Sequence, residues 1–232
     1  MRESSVNNIL SKAGGLYAGP RGFTLVEMLI AMAVGMVVLG AMYSTFTIQN
    51  KTFANQEEIV AMQQSVRAGM DMMAREIGMA GYDPCSVNSD SDLSNNFSGV
   101  TVNSTQLQIK ADLDGNDPPS NNCQSPYKGI DATSQENIIY AIASDATTAN
   151  PNNKKITRNI GAGAQSFVEN VESFTFEYLK SDGTTATTSA EVRQIRITIT
   201  GRTAKPDPSY SANSGYRTYT LTSVIAAINL AF

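Results

Sequence analysis

The sequence predicts an α+β protein in which one long N-terminal helix packs on an antiparallel sheet. The first observation behind this prediction is an apolar run near the N-terminus, which continues as an amphipathic segment up to glycine and proline. The second is a series of short segments after residue 98 in which apolar and polar residues alternate. Such alternation is typical of strands with one buried face.

The apolar run is long enough to cross a membrane. Residues 28–48 are 21 consecutive residues without a charge, and as a helix they extend over about 30 Å, the thickness of the hydrocarbon core of a bilayer. Arg2, Lys12 and Arg21 precede the run, so we expect the N-terminus to stay in the cytoplasm while the rest of the chain crosses. No small-residue cleavage signal closes the run, which favours a retained helix over a removed signal peptide.

A single acid, Glu27, lies near the start of the apolar run. A carboxylate at this depth costs ~2.5–3.5 kcal/mol on insertion scales, so it should have a partner. Glu27 either pairs with a group outside its own helix or interacts with the positive end of that helix.

Residues 22–27, Gly-Phe-Thr-Leu-Val-Glu, resemble the class III signal of type IV prepilins and pseudopilins closely. The resemblance implies that a prepilin peptidase cuts between Gly22 and Phe23 on the cytoplasmic side and that Phe23 is N-methylated. It also implies that Glu27 pairs with the N-terminal amine of a neighbouring subunit in a filament. The chain would then comprise a leader (1–22), a transmembrane and polymerisation helix (23–51) and a periplasmic or extracellular globular domain (52–232).

The globular domain is expected to begin with the amphipathic half of the long helix, which should run over residues 23–80. An apolar stripe at spacings of three and four predicts the face that docks on a sheet: Ile59, Met62, Val66, Met70, Met73 and Ile77. Predicted strands cover residues 99–102, 106–110, 137–142, 154–160, 171–179, 192–200 and 216–225. They indicate an antiparallel sheet of about four to six strands, with one face covered by the helix.

The order of the C-terminal segments resembles that of PilW-type minor pilins. An Ile-Tyr strand is followed by residues 170–179, an Asp-Gly turn, a Val-Arg-x-Ile-Arg-Ile strand and a polar last strand. The resemblance implies a type IV pilin fold, with the major pilin and other minor pilins as partners.

Composition excludes several function classes. After removal of the leader the chain has 14 basic and 20 acidic residues, a net charge of −6, which argues against nucleic acid as a partner. The absence of histidine removes Ser-His-Asp and Cys-His catalysis and His-ligated zinc. No nucleophile with a base is visible, so we predict that the protein is not an enzyme and requires no cofactor.

Two features of the globular domain suggest sites. Cys85 and Cys123 would form one disulfide in an exported domain, the alternative being two free thiols. Acidic and amide side chains in one glycine-containing loop suit calcium: Asp112, Asp114, Asn116 and Asp117. The loop departs from the EF-hand pattern, and a solvated turn is the alternative.

The expected function is that of a minor pilin of a type IV pilus, which primes or nucleates filament assembly after leader cleavage. It would lie in the inner membrane with its N-terminus in the cytoplasm and then move into the cell-surface pilus. Two alternatives remain open: a minor pseudopilin of a type II secretion system, and a ligand-binding or adhesive tip pilin.

Overall fold

The computed structural model describes residues 22–84, 96–113, 135–145 and 153–230. The chain divides between Thr52 and Phe53 into two compact units. Helix α1 covers Leu25–Met79, so its first half belongs to the first unit and its second half to the second unit.

The first unit consists, in its described part, of the apolar half of α1. This half is long and apolar enough to cross a membrane, and none of its most apolar 18-residue window is buried in the structure. Large side chains such as Met36, Val37 and Tyr43 are each 72 % exposed. The apolar surface of this half is therefore uncovered in the structure, and lipid or other helices must shield it from water.

The second unit contains a single antiparallel sheet with the strands in sequential order. The described strands are β1 Val100–Thr101, β2 Gln106–Lys110, β3 Asn137–Ser144, β4 Lys154–Asn159, β5 Ala164–Leu179, β6 Gln194–Arg202 and β7 Thr218–Ala226. Short 3-10 turns lie between β5 and β6 at Ser189–Glu191, between β6 and β7 at Ala212–Gly215, and after β7 at Ile228–Leu230. The described sheet thus has seven strands rather than the four to six expected, because each short segment pairs with the next one.

The core lies between the second half of α1 and one face of the sheet. The predicted helix stripe is buried at Met62, Val66, Met70, Met73 and Ile77, whereas Ile59 is only half-buried. The sheet contributes alternate apolar residues, among them Leu107, Ile109, Tyr140, Ile156, Ile195, Ile197 and Ile199. The α+β prediction, a long N-terminal helix with its amphipathic half packed on an antiparallel sheet, is confirmed.

Strand β5 begins seven residues earlier than predicted. Its pairing with β4 and β6 carries register shifts, with extra residues on the β5 side. Buried residues therefore recur at every third position, Val168, Val171 and Phe174, and the period of two returns only afterwards. Bulges of this kind hide the first half of the strand from a search for strict alternation.

Candidate functional site

The residues that begin the long helix form the candidate site. Gly22 and Phe23 precede α1 in non-helical conformation, and the Phe23 side chain is 89 % exposed. A Cβ built on Gly22 would meet no atom within 4 Å. The described surroundings therefore leave the Gly22–Phe23 peptide bond accessible to a processing enzyme.

Glu27 takes part in a capping box with Thr24. The Thr24 backbone N–H and Oγ1 both donate to Glu27 Oε2, at 2.9 and 3.0 Å, and the Glu27 backbone N–H donates to Thr24 Oγ1 at 3.2 Å. Such reciprocal bonds satisfy donors that the first helical turn otherwise leaves open. The pattern Thr-x-x-Glu is present in the sequence, but this local cap was not among the two roles predicted for Glu27.

The capping box uses one of the two oxygens of Glu27. Oε2 accepts both bonds from Thr24, while Oε1 accepts no hydrogen bond from the described residues. A carboxylate can accept several donors at once. The local cap and a bond to a cation from another chain are therefore compatible, because they engage different oxygens.

The face of α1 that carries Glu27 is otherwise apolar. A shallow, open depression follows this face from Glu27 to Met42. Its lining includes the small residues Ala31 and Gly35, four and eight positions after Glu27. Small residues at this spacing allow another helix to approach closely, so the acid lies at one end of a surface suited to helix packing.

The other predicted sites lie mostly outside the described residues. Cys85 and Cys123 fall there, as do Asp114, Asn116 and Asp117. Asp112 is described and fully buried, and its backbone N–H donates to the Tyr82 carbonyl at 2.9 Å. The described ranges contain no group of three or more side chains arranged to hold a metal ion. The disulfide and the calcium loop stay predictions.

A buried polar cluster in the second unit was not predicted. Glu76 lies on the buried stripe of α1 with a side chain only 7 % exposed. Arg158 donates to Glu76 Oε1 from Nη2 at 2.7 Å and from Nε at 3.1 Å, and the Tyr140 hydroxyl donates to Oε2. Burial, together with this bond and the charge of Glu76, raises the pKa of Tyr140 far above its usual range. The cluster links α1 to β3 and β4 through side-chain hydrogen bonds.

Comparison with known proteins bears on the N-terminal segment. Residues 19–43 match the model of the prokaryotic N-terminal methylation motif. The N-terminal segment is that of the type IV prepilin superfamily. This match includes the predicted cleavage position and Glu27, so the prepilin signal inferred from residues 22–27 is confirmed at the level of the superfamily, while the PilW-type assignment stays a prediction.

Among solved structures, this chain is similar to a type IV-like pilin from Thermus thermophilus. The two share 13 % identity, and the match covers 73 % of this chain and 98 % of the other at a TM-score of 0.39. A comparison with curated protein sequences found no match.

Proposed function

We propose that this chain is a minor pilin of a type IV pilus, a structural subunit that primes or nucleates filament assembly once its leader is removed. A prepilin peptidase would cut before Phe23, and the mature subunit would wait in the inner membrane as a single-pass protein with its N-terminus towards the cytoplasm. The major pilin and other minor pilins would then bind the apolar half of α1 and replace the lipid around it.

The observation that carries the proposal is the position of Glu27 on an exposed apolar helix with one oxygen still available. Cleavage at Gly22 creates a cationic α-amine at Phe23, in equally apolar surroundings. An unpaired charge in such surroundings is costly for either group. The amine of one subunit and the carboxylate of the next offset this cost for each other, which favours addition of a subunit in one register.

A minor pseudopilin of a type II secretion system would use the same helix surface and the same acid. The two machines differ in the assembly ATPase that extracts the subunit from the membrane. Deleting each ATPase in turn and measuring which deletion traps the chain in the inner membrane distinguishes them. A ligand-binding tip pilin is a further alternative, and it predicts a ligand of the second unit in addition to assembly.

The role of Glu27 is tested by the substitutions Glu27→Leu and Glu27→Gln, with Glu57→Gln as the matched control. Glu57 is an exposed acid on the same helix, beyond the apolar run. We expect both Glu27 variants to be processed and inserted, yet to enter sheared filaments at least about tenfold less than the native chain, because the neighbour's amine loses its partner. The control should assemble normally.

Quantitative blotting of filament and membrane fractions measures the effect. If Glu27→Leu entered filaments as readily as the native chain, the acid would not pair between subunits and the proposal would fail at its central step.

A further inference from the structure

The second unit contains a cavity of about 200 Å³ between α1, the bulged part of β5 and the end of β6. Met62 and Ser65 line it from the helix, and Asn170 and Arg202 line it from the sheet. Neither the proposed assembly role nor the buried cluster at Glu76 uses these residues. The cavity is therefore a separate feature that needs its own explanation.

Arg202 is the residue that makes this cavity unusual. Arg202 is only 8 % exposed, and its Nε is buried without a hydrogen-bond partner among the described residues. The guanidinium lies over the ring of Tyr216, with Cζ 3.9 Å from the ring centroid. The ring attracts the cation through its face but offers no acceptor to the N–H groups in the guanidinium plane.

Two other arginines of the second unit each have a carboxylate partner, which Arg202 lacks among the described residues. Arg158 pairs with Glu76 and Arg217 with Asp207, at 2.7 and 2.8 Å. Within the part of the chain that the structure describes, no carboxylate pairs with Arg202. A buried guanidinium usually has an anion beside it, because losing its hydration is otherwise uncompensated.

Two acids line the same cavity, but both are engaged elsewhere. Glu58 lies 3.6 Å from Lys205 Nζ and accepts the Ala204 backbone N–H at 3.2 Å. Glu169 is exposed and accepts the Ser166 hydroxyl at 3.2 Å. Their negative charges oppose a doubly charged anion in the cavity about twice as strongly as a singly charged one, since the repulsion is proportional to the charge.

The β5 strand lines the cavity opposite Arg202 with a residue of left-handed conformation. Asn170 has a positive φ of 54°, which asparagine adopts more readily than most residues other than glycine. Its side chain accepts a hydrogen bond from Asn153 Nδ2 at 3.1 Å, which holds the bulge in place. Asn170 therefore keeps a defined position on the β5 side of the cavity.

The geometry points to a binding site for a carboxylate group, held by the guanidinium of Arg202. A planar carboxylate with one charge matches the fork of N–H groups and can accept two of them together. The group would come either from a small organic acid in the surrounding medium or from an acidic side chain of a neighbouring subunit. The carboxylate site itself is argued from the second unit alone, and only the neighbouring subunit as a source of the carboxylate rests on the proposed assembly role.

The test follows the Nε–Hε resonance of Arg202 by NMR in the ¹⁵N-labelled full chain in detergent, with Arg202→Lys used to assign it. Sodium acetate is titrated against sodium chloride at equal ionic strength. We expect a saturable shift with acetate that chloride does not give, with phosphate at least about tenfold weaker because of the nearby acids. An Arg202 resonance that responds equally to acetate and chloride would overturn the inference.

A second variant keeps the test independent of any substitution at Arg202. Ser65→Trp places a large ring in the cavity and leaves the guanidinium in place, so it should abolish the acetate response. An unchanged response in this variant would show that acetate binds elsewhere and would contradict the assignment.

Solid-state NMR of assembled filaments separates the two sources of the carboxylate. If a neighbour's acidic side chain fills the site, the Arg202 resonance takes the bound position without added acetate. If the ligand is a small organic acid, the resonance keeps its free position in washed filaments and moves when acetate is added.

Discussion

At the scale of single residues, Glu76 shows most clearly what a periodic pattern does not reveal. The apolar stripe of α1 was predicted from its own residues, but a buried acid within it requires partners from strands 64 and 82 positions away. Local sequence carries no signal for such pairing. The same applies to Arg202, whose burial depends on where the helix passes over the end of β6.

Replacement of Glu76 should reveal the energy of the buried cluster. We expect Glu76→Ala to lower the free energy of unfolding by about 3–5 kcal/mol, because it leaves the Arg158 cation and the Tyr140 hydroxyl without their acceptor. Urea denaturation followed by tyrosine fluorescence measures this, since the chain has no tryptophan.

The exposed pair Glu177–Arg196 provides the matched control. Its side chains are 58 % and 43 % exposed, so Glu177→Ala should change the free energy of unfolding by at most about 1 kcal/mol. Equal effects of the two substitutions would show that the buried cluster contributes no more than a surface pair.

A second prediction at the residue scale concerns Asp207 and acid. Hydrogen bonds from Ser209, and then those from Arg217, hold the pKa of Asp207 at about 2, below its ordinary value of 3.8. A carboxylate with a lowered pKa stabilises the folded state above pH ~4, and this contribution is lost as the pH falls towards 2.

We therefore expect Asp207→Asn to be less stable than the native chain at neutral pH and to lose less stability between pH 4 and pH 2. Thermal unfolding across this interval gives both curves. Glu191, whose pKa is also lowered to about 2 by Lys180 and Thr187, leaves part of the acid dependence in the variant. Parallel curves for the two proteins would contradict the role given to Asp207.

At the scale of elements, the positions of the helix and most strands could be predicted, whereas the irregularities could not. The helix ends within two residues of the predicted bounds, because apolar spacing and the Gly-x-x-Gly and Pro residues after it mark its extent. Strand β6 alternates strictly and begins two residues after its predicted start. The bulged first half of β5 was not predicted, because its extra residues break the alternation of apolar and polar residues on which the prediction depended.

The close approach of α1 to β6 predicts an effect of Gly201. A Cβ built on Gly201 would lie 2.5 Å from Val66 Cγ2. Gly201→Ala should therefore lower the free energy of unfolding by about 1–3 kcal/mol through overpacking. The second substitution Val66→Ala removes the clashing methyl groups, so the double variant should lose less than the sum of the two single effects.

Gly35→Ala serves as the control, because a Cβ there meets no atom within 4 Å. It should leave the urea midpoint of the second unit unchanged. Additive losses in the Gly201 and Val66 variants would mean that helix and strand are not in the contact described.

At the scale of the whole molecule, the N-terminal signal was the most predictable part of the chain. The signal is contained in residues 22–27, and the match over residues 19–43 confirms that the motif is present there. The kind of pilin is much harder to predict from the sequence, because it depends on partners that bind the surface of a folded subunit. Local sequence carries little information about those surfaces. The cavity at Arg202 is one example, because no sequence motif predicts it.

Pairing between subunits requires removal of the leader, because cleavage creates the α-amine that Glu27 is proposed to bind. Mass spectrometry of the N-terminus of the protein recovered from filaments tests this most directly. We predict a chain of 210 residues that begins at Phe23 and carries one methyl group on its α-nitrogen. If working filaments contained a chain that still carries residues 1–22, the proposed pairing of Glu27 with a neighbour's α-amine would be contradicted.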